Sequence, residues 1–362
     1  MNRRDFTRMT GLGALAVHTV PISATSGMYS PGSGSKIPLG VGNHSLRAWR
    51  PNAIQLIDFA VEHKLDSVQF NTLTPFESID DKHLEKIKKH ADRHDISIYV
   101  GVGGISELSD RFSDNFGDAD NLVKEGIRVA KALGSPVLGV RIGVMDDRYS
   151  PGGILPKMEE VIKRMRSFRG PVLDAGIKFA FENHAGDMRT EELIELMDET
   201  GNDICGAFFD PGNATYGMED PKPAMKKLGN RIVCCSARDV IVWQTDEGAV
   251  FQWTAVGEGM MDYQWYANFM SENCPGVPIH LEIISNSPRT LPYLSDEFWK
   301  GFPDLKARGI IDFLKMTRKG HPIEAAKAPP GMDKKAFEME NQKDELLRSI
   351  KYLREECGVG LK

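Results

Sequence analysis

Ile177-Lys178-Phe179-Ala180-Phe181-Glu182-Asn183-His184 is an apolar, β-leaning run closed by a carboxylate, an amide and an imidazole. Two later stretches repeat the form. Ile204-Cys205-Gly206-Ala207-Phe208-Phe209-Asp210 leads into Pro211-Gly212-Asn213, and Pro278-Ile279-His280-Leu281 closes on Glu282. Each reads as a short buried strand with an acid at its C-terminal end. Strands that alternate with helices and carry polar groups at those ends build a site at one mouth of a (β/α) barrel, where the strand ends converge.

The chain on either side supplies the other units. Upstream, strands are predicted over Ile37–Val41, ending near Asn43-His44, and over Ser67–Asn71, Ile96–Val102 and Pro136–Ile142. Helices follow each of them: one capped by Asn52, with Ile54, Ile57, Val61 and Leu65 at helical spacing, then Asp81–His94, Asn121–Leu133 and Leu155–Phe168. Downstream come a helix over Thr190–Thr200 capped by Thr190, a short helix over Lys222–Leu228, a strand over Arg231–Ala237, and a loop with Gly257-Glu258-Gly259. A helix over Asp262–Asn273, the strand closing on Glu282 and a last helix over Asp304–Thr317 complete the series. Eight such units predict an α/β fold, a (β/α)8 TIM barrel over residues 36–320, a size in keeping with the roughly 250 residues that barrel needs. No Gly-rich phosphate fingerprint follows the first strand. Residues 321–362 read as a C-terminal helical extension, its helix running from about Asp333 to Glu356 with Leu346, Leu347, Ile350 and Leu353 on one stripe. That stripe suits the outside of the barrel or another subunit, which leaves a homo-oligomer open.

Residues 1–35 have the layout of an exported leader and linker. Arg3-Arg4-Asp5-Phe6 precedes a mildly apolar run from Met9 to Val20 and small residues at Ala24 and Ser26. Paired arginines point to the twin-arginine type, with cleavage expected near Ala24 to Gly27 and a periplasmic destination. The apolar run is too short to anchor in a bilayer. A net charge of −6 from 45 basic and 51 acidic residues argues against a nucleic-acid surface, where a basic footprint is expected. A small molecule is the expected partner. Five cysteines, three of them (Cys205, Cys234, Cys235) inside apolar strands, read as buried thiols rather than a disulfide framework.

If Glu182, Asp210 and Glu282 share one mouth, their mutual repulsion requires either raised pKa values or a cation. A divalent metal is the less costly answer, and all-oxygen ligation favours Mn2+ or Mg2+ over Zn2+.

The order of these motifs resembles a known family. Glu182-Asn183-His184, Phe209-Asp210-Pro211-Gly212-Asn213, Arg238-Asp239, Gly257-Glu258-Gly259 and His280-Leu281-Glu282 together look like the xylose isomerase-like TIM-barrel family of sugar phosphate isomerases and epimerases. The resemblance implies a metal held by Glu182, Asp210, Glu282 and a histidine after strand seven. This chain has Ser236-Ala237-Arg238-Asp239 there, so Ser236 stands where the family shows His and the ion is held by fewer protein groups, by water or substrate, or weakly. It also implies proton abstraction next to a carbonyl through an enediolate, with Glu182 and Glu282 as the proton-transferring pair.

The supporting residues each carry two readings. His184 orients substrate oxygens or bonds a neighbouring loop. Arg141 pairs with a site carboxylate or touches substrate, and Arg238 restores charge lost with the histidine or is a plain ion-pair partner. Asp239 is equally open, and His44 points toward the mouth. Trp243, Trp253 and Trp299, in expected loops, stack on a sugar or cap the core. The leading expectation is an exported metal-assisted isomerase or epimerase acting on a sugar or keto-sugar. A lyase or dehydratase on a keto-sugar, ketoglycoside or inosose is the nearest rival, and a non-catalytic sugar-binding barrel the third reading. Export favours free sugars or glycosides over phosphorylated ones. A phosphodiesterase of the endonuclease IV type would need several metal-binding histidines, and two of the nine, His18 and His321, fall in the leader and tail.

Overall fold

A computed structural model describes residues 36 to 362. The leader expected over residues 1–35 lies outside the described residues. Eight parallel strands close a barrel. They are β1 (Leu39–Gly42), β2 (Ser67–Phe70), β3 (Ser97–Gly104), β4 (Val137–Arg141), β5 (Lys178–Glu182), β6 (Cys205–Phe209), β7 (Ile232–Ala237) and, after an antiparallel hairpin of β8 (Asp239–Thr245) and β9 (Gly248–Thr254), β10 (Ile279–Leu281). Their order around the barrel is β1-β10-β7-β6-β5-β4-β3-β2. The fold is the (β/α)8 TIM barrel that the alternation predicts.

The two-residue period of the strands decides what each side chain faces. Tyr99, Val137, Ala180, Phe208 and Cys234 pack together inside the barrel, while Phe179, Phe181, Ala207, Phe209 and Leu281 join the larger core beneath the helices. Glu182 follows Ala180 in parity, Asp210 follows Phe208, Ser236 and Arg238 follow Cys234, and Glu282 follows His280. His280 itself is buried, 3.1 Å from the Ser67 hydroxyl and edge-on to Tyr99. The acids therefore turn inward because the apolar residues before them do.

The helix Ala53–Glu62 starts on a reciprocal cap between Asn52 and Gln55, as the sequence predicts. Thr190, expected as a cap, is instead the first residue of its helix, Thr190–Thr200. Its N–H and hydroxyl both donate to buried Glu219, and Glu192 accepts the Arg189 N–H that the cap position leaves free. The last barrel helix is shorter than expected, Ile311–Thr317, preceded by a 3-10 turn over Ala307–Ile310.

The stretch after β7 is the main departure from the sequence reading. Residues expected as loop form the β8-β9 hairpin, joined by β11 (Arg289–Leu291) into a three-stranded antiparallel sheet. Trp243 and Trp253 thus lie in strands, not loops. The sheet has its own core, with Val240, Val242, Phe251 and Trp253 packed on Met145 and Phe313. Asp239 follows Ala237 almost directly, so this sheet rises from the same barrel end as the acids.

The C-terminal helix, Lys334–Glu355, packs on its own barrel: Leu346, Ile350 and Leu353 enter the main core. Gln342 accepts the Ala48 N–H at 2.9 Å, and the Ser349 hydroxyl accepts the Val256 N–H at 2.9 Å. All five cysteines are free thiols. Among the described residues no helix is long and apolar enough to cross a membrane.

Candidate active site

Glu182, Asp210 and Glu282 converge at the C-terminal ends of β5, β6 and β10. All three are buried, and one oxygen from each lies within 4.8 Å of the others. Asn183 fixes two of these ends to each other, its Nδ2 donating to the Asp210 carbonyl at 2.9 Å and its Oδ1 accepting the Asp210 N–H at 2.8 Å. Asp210 also caps the short helix Pro211–Tyr216, accepting the Asn213 N–H at 3.1 Å, while Asn213 Nδ2 donates to Glu182 Oε1 at 3.2 Å. Asn213 thereby orients two acids from one position.

Arg238 enters this group from β7. Its Nη2 lies 2.7 Å from Glu282 Oε1 and 3.0 Å from Asp210 Oδ2, and its Nε donates to the Glu282 carbonyl at 3.1 Å. Ser236 donates to the other Glu282 oxygen at 3.1 Å. These contacts separate the acids electrostatically. Burial, Glu282 and Asp210 push Glu182 well above the usual carboxylate range. Burial likewise raises Asp210 to about 6, against the pull of Arg238. Burial also acts to raise Glu282, but Arg238, His44, Ser236 and Asn71 outweigh it and hold that carboxyl below its ordinary 4.5. In one pocket, the two glutamates are thus pushed in opposite directions, Glu282 toward the ionised form and Glu182 toward the protonated one.

His184 and Arg141 pair beside this group. His184 Nδ1 lies 2.7 Å from the Gly143 carbonyl and Nε2 lies 3.1 Å from Arg141 Nη1. A carbonyl only accepts and a guanidinium only donates, so the ring is neutral with its proton on Nδ1. Burial and Arg141 push its pKa well down in agreement. Asp187 sets the loop beneath, accepting the backbone N–H groups of Gly143, His184 and Met188. Arg141 Nη1 is used on the imidazole, and its half-exposed side chain borders the same small cavity as Glu182, Asn71 and Gly103. His44 stands at the rim, Nδ1 3.9 Å from Glu282 Oε1 and without a protein hydrogen-bond partner among the described residues. Loss of solvent lowers its pKa despite Glu282.

Asp239 lies apart from this cluster in function. Its carboxylate accepts four backbone N–H groups, from Val240, Gly257, Gly259 and Met261, at 2.8 to 3.1 Å. It ties the Gly257-Glu258-Gly259 loop to the hairpin, and a side chain on Gly259 would fall 2.1 Å from Asp239 Oδ1. Trp253 stacks under Arg238, its ring centre 4.5 Å from the guanidinium carbon. Asn213, Asn183 and Asp187 have no role in the sequence reading, and Trp253, expected to stack on a sugar or cap the core, stacks on Arg238. The polar residues just beyond each acid (Asn183, Asn213) and the acid three residues after His184 are the signals that point to the first three.

The acids fit a divalent cation. Three carboxylates on three strands form an all-oxygen donor set suited to a hard ion, and Asp210 Oδ2 faces it with an ion pair but no aligned hydrogen bond.

Comparison with known proteins places this geometry. The family model described as xylose isomerase-like TIM barrel matches residues 57–301. The uncharacterized protein YihM of Escherichia coli K12 is 22% identical over 227 residues, 61% of this chain and 63% of YihM. An inosose dehydratase of Clostridium perfringens is 32% identical over 69 residues, 18% of this chain and 23% of that enzyme. The chain thus spans less than two thirds of the length of these curated relatives. Among solved structures, D-psicose 3-epimerase in the presence of D-fructose superposes with a TM-score of 0.57 at 14% identity, over 89% of this chain and all of that one. The IolI protein with a bound zinc atom gives 0.52 at 13% identity, over 79% and 100%. These superpositions speak for the barrel. The family model covers more than half of the sequence, and the chain belongs to the xylose isomerase-like TIM-barrel family.

Proposed function

We propose that this chain is a sugar-modifying enzyme that moves a proton on the carbon beside the carbonyl of a keto-sugar, giving an epimer or isomer. The reading is carried by one observation: Glu182 and Glu282 face the same pocket with their protonation pushed in opposite directions. Pairs of acids separated in this way divide into a base and an acid. Glu282, ionised, takes the proton from the carbon. Glu182, already protonated, returns one to the other face or to the neighbouring carbon after the enediol shifts. Arg141 is the fixed cation beside the developing oxyanion, and Arg238 adds its charge there while it is paired with Asp210 and Glu282, in a setting where burial strengthens each contact. A divalent ion held by Glu182, Asp210 and Glu282, Mn2+ or Mg2+ by the chemistry of the donors, would supply polarisation of the substrate's oxygens.

The inosose dehydratase likeness supports a second outcome on the same residues. After Glu282 takes the α-proton, a β-hydroxyl leaves as water with the proton of Glu182, and an unsaturated ketone remains. The D-psicose 3-epimerase neighbour stands beside the first outcome, although at its identity it speaks for the fold alone.

Free keto-sugars, ketoglycosides and inososes incubated in D2O with Mn2+ separate the two. An epimer carrying one deuterium at the inverted carbon supports the first, and an ultraviolet-absorbing product the second. Binding of a sugar with neither change, across the whole panel, leaves a sugar-binding barrel and removes the enzymatic reading.

A further inference from the structure

The guanidinium of Arg238 lies among the atoms that would hold the ion. The cation is deeply placed: Arg238 is 3% exposed, with Trp253 beneath it, the Glu282 carbonyl on Nε and Asn213 Oδ1 3.5 Å from Nη1. The chain makes room for it. A Cβ on Gly212 would meet Arg238 Cδ at 2.6 Å and Trp253 Nε1 at 2.7 Å, so the glycine of Pro211-Gly212-Asn213 lets the arginine stem pass. At the family's histidine position, Ser236 spends its hydroxyl on Glu282 Oε2 and brings no nitrogen ligand. Two of the three acids thus already have a full positive charge within 3.0 Å.

We propose that Arg238 is a resident cation that competes with a divalent ion for Asp210 and Glu282, so that metal enters this site only by displacing the guanidinium from both acids. The ion must then replace a buried pair in which each charge has already been stripped of water and matched. Breaking such a pair opposes binding strongly. The site therefore holds divalent ions weakly and exchangeably, with the protein's own charge neutralising the acids in between. The proposal rests on the three acids as a cation site and not on the sugar chemistry, so it is tested without substrate.

Full-length chelator-treated protein is titrated with Mn2+ by calorimetry at pH 7.5. Arg238→Met, which keeps the stem and removes the charge, is expected to bind one Mn2+ at least about tenfold more tightly than wild type, about 1.4 kcal/mol. Arg238→Lys is expected to stay near wild type. Should Arg238→Met fold only when Mn2+ is present, that rescue is the same result in another form. An affinity no tighter than wild type overturns the proposal. A second measurement uses the native residue: Mg2+ at saturation should change the tryptophan emission of wild type, because the stack on Trp253 loosens, and leave Trp253→Phe unchanged. Equal emission changes in both proteins, or none in either, overturn the displacement of Arg238 even if Arg238→Met does not fold at all.

Discussion

Asn183 holds the backbone of Asp210, its side-chain amide closing two hydrogen bonds of 2.9 and 2.8 Å between the ends of β5 and β6. Both residues are buried, so neither bond has water to fall back on. The pair fixes how far Asp210 stands from Glu182.

Asn183→Ala removes both bonds and leaves the buried Asp210 N–H without a partner, while the Asp210 carbonyl keeps the Ala214 N–H at 3.1 Å. The expected loss is about 2 kcal/mol of stability, by the usual cost of an orphaned buried group. Urea unfolding measures it. A loss under about 0.5 kcal/mol would mean the amide is ornamental at this position.

Stability of the metal-free protein should fall as pH rises from 6.5 to 8. Burial raises Asp187 to about 7 from an ordinary 3.8, so the native state keeps a proton that the unfolded chain has already lost. Stability linked to that proton is complete below about pH 4 and disappears as pH rises through the folded value. Glu182, also raised, acts in the same direction. His44, His63, His184 and His280 are depressed and work oppositely, an effect that fades as pH rises past their ordinary 6.5, which is why the window starts there. Thermal unfolding at constant ionic strength reads the trend, and a Tm that climbs from pH 6.5 to 8 contradicts it.

Once a responsive keto-sugar is found, kcat/KM should trace a bell. Its acid limb belongs to Glu282 and lies below 4.5, since the base must be ionised. Its alkaline limb belongs to Glu182, well above the ordinary carboxylate value. Glu182→Gln should flatten the alkaline limb while lowering the plateau by about 100-fold or more, the usual worth of a positioned acid. An alkaline limb that survives in Glu182→Gln assigns it elsewhere.

Residues 1–35 are proposed to direct export. Fused to a reporter that matures before translocation, they should carry it across the inner membrane, and Arg3→Lys with Arg4→Lys should retain it in the cytoplasm. Transport unaffected by the double change would remove the twin-arginine reading.

The barrel was legible because its strands are short apolar runs that end in polar residues, as at Phe181-Glu182 and Phe209-Asp210, and because parity alone turns those acids inward. The β8-β9 hairpin could have been read from the alternation in Val240-Ile241-Val242-Trp243 and Val250-Phe251-Gln252-Trp253 around Glu247-Gly248, but an eight-unit count left no place for it. The position of Arg238 was beyond sequence. That its guanidinium reaches two acids depends on the stem passing Gly212 and resting on Trp253, residues 41 positions apart with helices, β7 and the hairpin between them. Asp239 shows the reverse: an acid beside the site by sequence whose oxygens are taken up by four backbone donors.

The central claim is that Glu282 and Glu182 act as base and acid on one carbon. The most direct measurement is exchange of the substrate's α-hydrogen with D2O, followed by proton NMR in wild type, Glu282→Gln and Glu182→Gln. The account predicts exchange in wild type, none in Glu282→Gln with the fold intact, and exchange with little product in Glu182→Gln. Exchange at the wild-type rate in Glu282→Gln would contradict it.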